Sequence, residues 1–334
     1  MGALRTRRLR MRATAALGAA VTGALVVASS AALISPASAA AVGSPIGYGA
    51  GTTGGGNAAP VTVSTLSAFT SAVSSDSPKV VRVSGVISLS GQVKIGSNTT
   101  VIGVGSNSGF TGGGLAVKNE SNVIIQNLRI SYPKGTDAIS IDKSTRVWID
   151  HNDLYSDRSH DKDYYDGLLD ITHGSDNITV SYNRFREHYK TSLIGHSDDN
   201  AAEDTGRLRV TYYGNWFQKV NSRTPSIRFG RAHIFNNYFQ QVSDSGIHSR
   251  MNAQVLVQNN VFRDTPKPIT TTGSSKVDGY ANISGNDFGG GKTQITRTGS
   301  FTNPGYSYSL LPTSSVVADV TSKSGVGVVT GGSG

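Results

Sequence analysis

Apolar and polar residues along this chain recur in a fixed phase. Six segments place an apolar residue five and three positions before an Asn, and an aromatic residue or Leu two positions after it. They are Val147-Ile149-Asn152-Leu154, Ile178-Val180-Asn183-Phe185, Val210-Tyr212-Asn215-Phe217, Ala232-Ile234-Asn237-Phe239, Val255-Val257-Asn260-Phe262 and Ala281-Ile283-Asn286-Phe288. A seventh, Val123-Ile125-Leu128-Ile130, has Leu in the Asn slot. The Asn slots fall 31, 32, 22, 23 and 26 residues apart, and the Leu slot lies 24 residues before the first. One period-two strand per repeat at this spacing predicts an all-β solenoid whose coils stack strand on strand. The repeated Asn then occupies one bend, where its amide bonds the turn backbone and the Asn of the next coil, and Asn tolerates the left-handed backbone of a tight bend. The repeated Phe stacks inside. Both sets read as scaffold rather than chemistry.

The flanks behave differently. Residues 41–60 are Gly-rich and predict a leader or an extended edge. Leu66, Phe69 and Val73 fall at helical spacing behind Ser64 and Thr65, which predicts a short helix that Pro78 and Lys79 end. Short strands follow at 80–83 and 86–89. Residues 301–334 return to Ser, Gly and Pro, with one weakly amphipathic segment at 316–320 that is expected to wrap back over the solenoid. Within the repeat, the two long intervals exceed a 22-residue coil by nine and ten residues. The excess must leave the stack as loops, at 155–176 and 186–209. Insertions in repeat proteins tend to collect on one, binding, face, and these two bracket Asp166, Asp170 and Lys190.

Composition changes the picture at the N-terminus. Arg5, Arg7, Arg8, Arg10 and Arg12 precede a largely apolar run, and Ala37-Ser38-Ala39 supplies small residues for cleavage. Residues 1–39 therefore read as a secretory signal peptide, and 40–334 as one domain of roughly 295 residues, secreted and extracellular. Arg7-Arg8 fits a twin-arginine signal poorly. Cleavage removes five of 31 basic residues and none of the 22 acidic ones, which leaves 26 against 22, or +4. That is too mild for a nucleic-acid surface, and no membrane role is expected after cleavage. With no cysteine, stability must come from the core.

Candidate chemistry gathers between Asp137 and Arg228, around Tyr164-Tyr165-Asp166-Gly167-Leu168-Leu169-Asp170. Asp166 and Asp170 share strand parity, and Asp137 lies one coil earlier, so stacking brings the three to about 4.8 Å spacing. Carboxylates converging without His or Cys suit a hard cation with oxygen ligands, and Ca²⁺ tolerates irregular geometry better than Mg²⁺. The pair Asp198 and Asp199 could suggest an inverting glycosidase, with carboxylates about 6.5–9.5 Å apart, but adjacent side chains usually diverge. His151, His196 and His233 read as satisfied histidines, and Trp148 and Trp216 as packing residues.

The series Val147-Trp148-Ile149-Asp150-His151-Asn152, Tyr165-Asp166-Gly167-Leu168-Leu169-Asp170-Ile171, Lys190-Thr191-Ser192-Leu193-Ile194-Gly195 and Arg223-Thr224-Pro225-Ser226-Ile227-Arg228-Phe229-Gly230 resembles the motif series of extracellular pectate lyases of polysaccharide lyase family 1. The resemblance runs through nearly all of the mature chain, to Gly305-Tyr306-Ser307-Tyr308-Ser309-Leu310. It implies a right-handed parallel β-helix and Ca²⁺-dependent β-elimination of polygalacturonate. Asp137, Asp166 and Asp170 match the family's calcium-binding acids, Lys190 and Arg228 its substrate-binding cations, and Arg223 its catalytic base. Gly135 stands where some members carry a further acid. Neutralising the uronate carboxylate acidifies C5 and stabilises the enolate-like transition state. A guanidine with a free pKa above about 12 acts as base most readily in alkali. A monomer acting on an anionic polysaccharide is expected. The rivals are a pectin lyase on methyl esters, a polygalacturonase-like hydrolase and a non-catalytic polysaccharide-binding solenoid.

Overall fold

The repeat becomes three parallel sheets wound by one chain. The computed structural model describes residues 42–329, so the expected signal peptide lies outside the described residues. The apolar pair of each repeat sits in a ten-stranded sheet that runs, rung by rung, from Pro60–Val63 to Tyr280–Ser284. After the Asn bend the chain enters a second sheet of eight strands, among them Asp153–Tyr155, Arg184–Arg186 and Trp216–Val220. A further turn leads into a third sheet of eight, which includes Ile139–Asp142, Gly167–Thr172, Lys190–Ile194, Ser226–Arg228 and Ser245–Arg250. Every strand pair is parallel and joins successive coils. We call the third sheet the site sheet.

The Asn ladder forms as expected. The backbone N–H and the Nδ2 of Asn152 both donate to Oδ1 of Asn183 (3.0 and 2.9 Å), and Nδ2 also reaches the carbonyl of Ile125 (2.9 Å). The same exchange carries through Asn215, Asn237, Asn260 and Asn286. Leu128 cannot extend the amide chain, yet its N–H still donates to Asn152 (3.0 Å). One expectation needs correction, because the left-handed residue is the one before each ladder Asn. His151, Tyr182, Asn236 and Asn259 have φ between 48° and 52°, and Gly214 and Gly285 fill the same place at 67° and 63°. The ladder amide must point inward to meet its neighbour, so the preceding residue takes the sharp bend.

Inside the coils Phe185, Phe217, Phe239 and Phe262 stack with centroids 4.3–4.9 Å apart and planes within 7°. All four are fully buried. Each buried ring contributes about 1.5–3 kcal/mol of transfer free energy. Only at the last rung does the pattern fail: Ile283 is 41% exposed, since no further coil covers it.

At the other end the helix Leu66–Val73 closes the stack. Thr65 Oγ1 accepts from the Ala68 N–H (3.3 Å), and Phe69 packs on Phe110 at 4.7 Å. The helix stops before the expected Pro78, because Ser74 bonds back to the Ser71 carbonyl and a polar Ser-Asp stretch follows. The amphipathic segment near the C-terminus is the helix Thr313–Lys323, whose Val316 and Val320 bury against Tyr238 and Val261 of the second sheet. Among the described residues no helix is long and apolar enough to cross a membrane.

The two insertions do not share a face. The first, 156–166, precedes the strand Gly167–Thr172; the second, 195–208, follows the strand Lys190–Ile194 and contains the helical turn Ala201–Asp204. They leave from opposite edges of the site sheet. Each coil has three turns, and an excess of residues can be housed at any of them without disturbing the strands.

Candidate functional site

Four successive rungs bring the candidate residues together on the edge of the site sheet where the strands begin. Asp137 enters the strand Ile139–Asp142, and Ala138 N–H bonds the Gly167 carbonyl (3.1 Å) on the next rung. Gly167 is in register with Lys190, and Ser192 N–H bonds the Arg223 carbonyl (2.8 Å) one rung further. The chain thus places Asp137, Asp166 with Asp170, Lys190 and Arg223 in spatial order.

Gly167 is the hinge of the acidic half. Its N–H donates to Asp137 Oδ1 (2.8 Å), and a Cβ added there would lie 2.8 Å from Asp137 Oδ1 and 2.4 Å from Asp170 Oδ1. Two carboxylate oxygens therefore close over a position that only glycine leaves open. Burial, then the charge of Asp166, pushes Asp137 up to about 6. Burial, then the charge of Asp137, holds Asp170 well above the ordinary carboxylate range. Asp166 itself is exposed and turned to Lys190, whose Nζ lies 3.0 Å from both Asp166 and Asp163. Among the described residues no group of three His, Cys, Asp or Glu side chains is gathered in metal-holding geometry. What the fold provides is a close, mutually repelling pair, Asp137 and Asp170, with Asp166 at hand but engaged. An all-oxygen pair of this kind, raised by burial and then by neighbouring carboxylate charge, fits a hard cation such as Ca²⁺ that draws its remaining ligands from elsewhere.

The basic side is equally specific. Burial alone would lower the Lys190 ammonium, but its two carboxylate partners outweigh it and raise it. Arg228 is bound by Asp198 (2.5 Å) and by the Gly195 carbonyl (2.8 Å). Asp198 in turn accepts from Ser275 Oγ and the Lys276 N–H, while Asp199 pairs with Lys276. Asp198 and Asp199 thus serve separate partners and make no carboxylate pair. The Arg223 guanidinium has no hydrogen-bond or salt-bridge partner among the described residues, yet its charge acts on both Asp137 and Asp170. Its backbone is left-handed, φ 59°, at a cost of about 1–2 kcal/mol that surrounding structure must offset. A cleft of 420 Å³ opens there, lined by Lys162, Asp163, Tyr189, Lys190, Ser222 and Arg223 among others.

Sequence reasoning missed three supports. Arg250 is register partner to Arg228 on the next rung, buried, and pushed down to about 10 by burial and then by the charges of Arg228 and Arg223. Its place 22 residues after Arg228, one short coil, was the available signal. His188 is 2% exposed and joins two segments: it sits 2.6 Å from Ser156 Oγ and 2.7 Å from the Asp166 carbonyl. A carbonyl only accepts, so Nε2 carries the proton and Nδ1 accepts from Ser156. Burial pushes His188 down to about 4, and it is neutral near pH 7. Asp157 gathers the first insertion, accepting from Ser159, His160 and Tyr165. Although desolvation opposes it, those bonds hold its carboxyl well below the usual range. No periodicity marks either residue.

The residues set aside earlier behave as packing. His151 bonds Asp150 (2.6 Å), and buried His233 lies between Tyr306 (2.7 Å) and Gln258 (3.0 Å). Trp148 donates to Ser181 (2.8 Å), and Trp216 lies under Arg184 and beside the C-terminal helix cluster. His196 differs: it is exposed and stacks on His173 at 4.1 Å.

Comparison with known proteins gives one answer. The family model described as pectate lyase matches residues 14–329. A protein named probable pectate lyase A of Aspergillus fumigatus is 51% identical over 261 residues, 77% of this chain and 79% of its own. Pectate lyase B of Colletotrichum gloeosporioides is 49% identical over 283 residues, 84% and 85% of the two chains. Among solved structures, a pectate lyase from a Bacillus species in complex with trigalacturonate superposes with a TM-score of 0.78 at 34% identity, covering 85% of this chain and 99% of that one. With motif order, parallel β-helix and sequence identity in agreement over most of its length, this chain belongs to the pectate lyase family.

Proposed function

We propose that the protein is a secreted pectate lyase that cleaves polygalacturonate by calcium-assisted β-elimination. The observation that carries this reading is Arg223, a guanidinium without an acidic partner, facing a cleft beside Lys190 and the raised Asp137 and Asp170 pair. Trigalacturonate bound by the Bacillus relative supports the substrate class.

Asp137, Asp170 and, once released from Lys190, Asp166 would hold Ca²⁺, which supplies positive charge to the uronate carboxylate. Release of Asp166 leaves Lys190 held by Asp163 alone, an exposed partner that the uronate carboxylate can displace. Arg223 takes the C5 proton, the electron pair left at C5 becomes the C4–C5 double bond, and the C4–O bond breaks with its electrons passing to the departing oxygen, which takes a proton from solvent water. Arg228, with Arg250 buried beside it on the next rung, holds substrate charge near Arg223. A hydrolase would need an acid and a base carboxylate across the cleft; here the nearby acids are either paired with cations or gathered around Gly167.

The test is the ultraviolet absorbance of unsaturated product on polygalacturonate, with and without EDTA. Absorbance should rise with calcium and stop with chelation. No rise at any pH would refute the lyase, and a rise indifferent to EDTA would refute the calcium role alone.

A further inference from the structure

The second insertion builds more than the Asp198 arm. Its tail, Thr205, Gly206 and Arg207, forms one wall of a 480 Å³ cavity whose other lining is Arg209, Phe229, Arg231, Asn252 and Gln254. This cavity opens at the edge where the site-sheet strands end. Arg223 precedes the three-residue strand Ser226–Arg228 and Phe229 follows it, so the two sites open at opposite ends of that strand.

Its charge is unbalanced. Arg209 and Arg231 are register partners on adjacent rungs of the ten-stranded sheet, with Gln254 next in line. Like charges placed directly opposite at about 4.8 Å destabilise a sheet. Asp176 neutralises Arg209 by bonds to its Nε and Nη2. Arg207 and Arg231 have no carboxylate partner among the described residues; Arg231 only lies 5.8 Å from the Phe301 ring. Scattered solvated arginines would be the ordinary reading. Two unneutralised guanidiniums around one concavity, against a whole-chain excess of about +4 after signal cleavage, are not scattered. Guanidinium forks match carboxylates bidentately, Phe229 offers an apolar surface, and Asn252 and Gln254 offer amides.

We propose that this cavity is a second, non-catalytic site for the uronate carboxylates of a polygalacturonate chain. The inference rests on polygalacturonate being the substrate. A polymer held here stays at high local concentration beside the catalytic cleft, which favours long chains over oligomers.

Retardation of the protein in native gels containing polygalacturonate and EDTA reads binding without turnover. Arg207→Gln/Arg231→Gln should weaken retardation by about three- to tenfold, and more at low salt than at high. Its rate on trigalacturonate should stay within about twofold of wild type, because a trimer gains nothing from a remote anchor. A control, Lys292→Gln/Lys323→Gln, removes the same charge from the C-terminal part of the chain and should keep wild-type retardation. Unchanged retardation in the arginine variant, an equal loss in the control, or a parallel loss of rate on the trimer would each overturn the proposal. Failure of the lyase reading itself would appear separately, as wild type yielding no unsaturated product.

Discussion

At the scale of single residues, the site is a set of charges whose partners are not yet final. Arg223→Ala should lower kcat by about a thousandfold or more, as expected for removing the proton acceptor, with circular dichroism and Tm unchanged. Wild-type turnover in that variant would refute its role. Asp137 and Asp170 carry raised pKa values, and the sign of their effect follows. Between about pH 4 and 6 the metal-free folded state keeps a proton that the unfolded chain has lost, so stability falls as pH rises through that window. Calcium added at pH 7 should restore Tm, and its affinity should increase as pH rises past about 6. Asp137→Asn removes the repulsion; metal-free Tm at pH 7 should rise by one to three degrees, on the order of 1 kcal/mol, while the calcium response is lost. Thermal scans with and without calcium at pH 4 and 7 check all three signs. His188→Ala should raise the calcium needed for half-maximal rate several-fold, since the Asp166 carbonyl loses its donor, with a smaller change in kcat. An unchanged calcium requirement would reduce His188 to a packing residue.

At the scale of elements, each coil depends on its neighbours through one bend. The Asn215 Oδ1 accepts two bonds from Asn183, and its Nδ2 donates to Val180, Tyr213 and Asn237. Asn215→Ala strands the buried Asn183 N–H, so urea unfolding should show a loss of about 2–4 kcal/mol with no change in m-value. The bends, strands and stacked Phe were legible in the sequence because they recur at a fixed phase. The insertions were legible only as excess length. Which edge each one leaves from depends on which of three turns absorbs it, and the spacing between Asn slots contains no such term. That is why the loops expected at 155–176 and 186–209 on one face are found at 156–166 and 195–208, on two.

At the scale of the whole molecule, the ends matter as much as the repeat. Deleting 313–334 would uncover Tyr238 and Val261; Tm should fall and dye binding to exposed apolar surface should increase, while the rate below the transition stays near wild type, because the helix Thr313–Lys323 packs on the second sheet and not on the site sheet. Activity measured against a cold-stored control would reveal any direct role of that helix in turnover. The sequence by itself determined the solenoid, the scaffold roles of the Asn and Phe series and the approach of Asp137 to Asp166 and Asp170, since stacking at one strand per rung turns a repeat interval into a distance; Lys190, Arg223 and Arg228 were singled out by the resemblance of their motifs. Only the tertiary structure decided the pairings. Lys190 meets Asp166, Arg228 meets Asp198, and Arg207 and Arg231 meet no acid among the described residues, because charge–charge contacts across loops depend on side-chain positions that no periodicity carries.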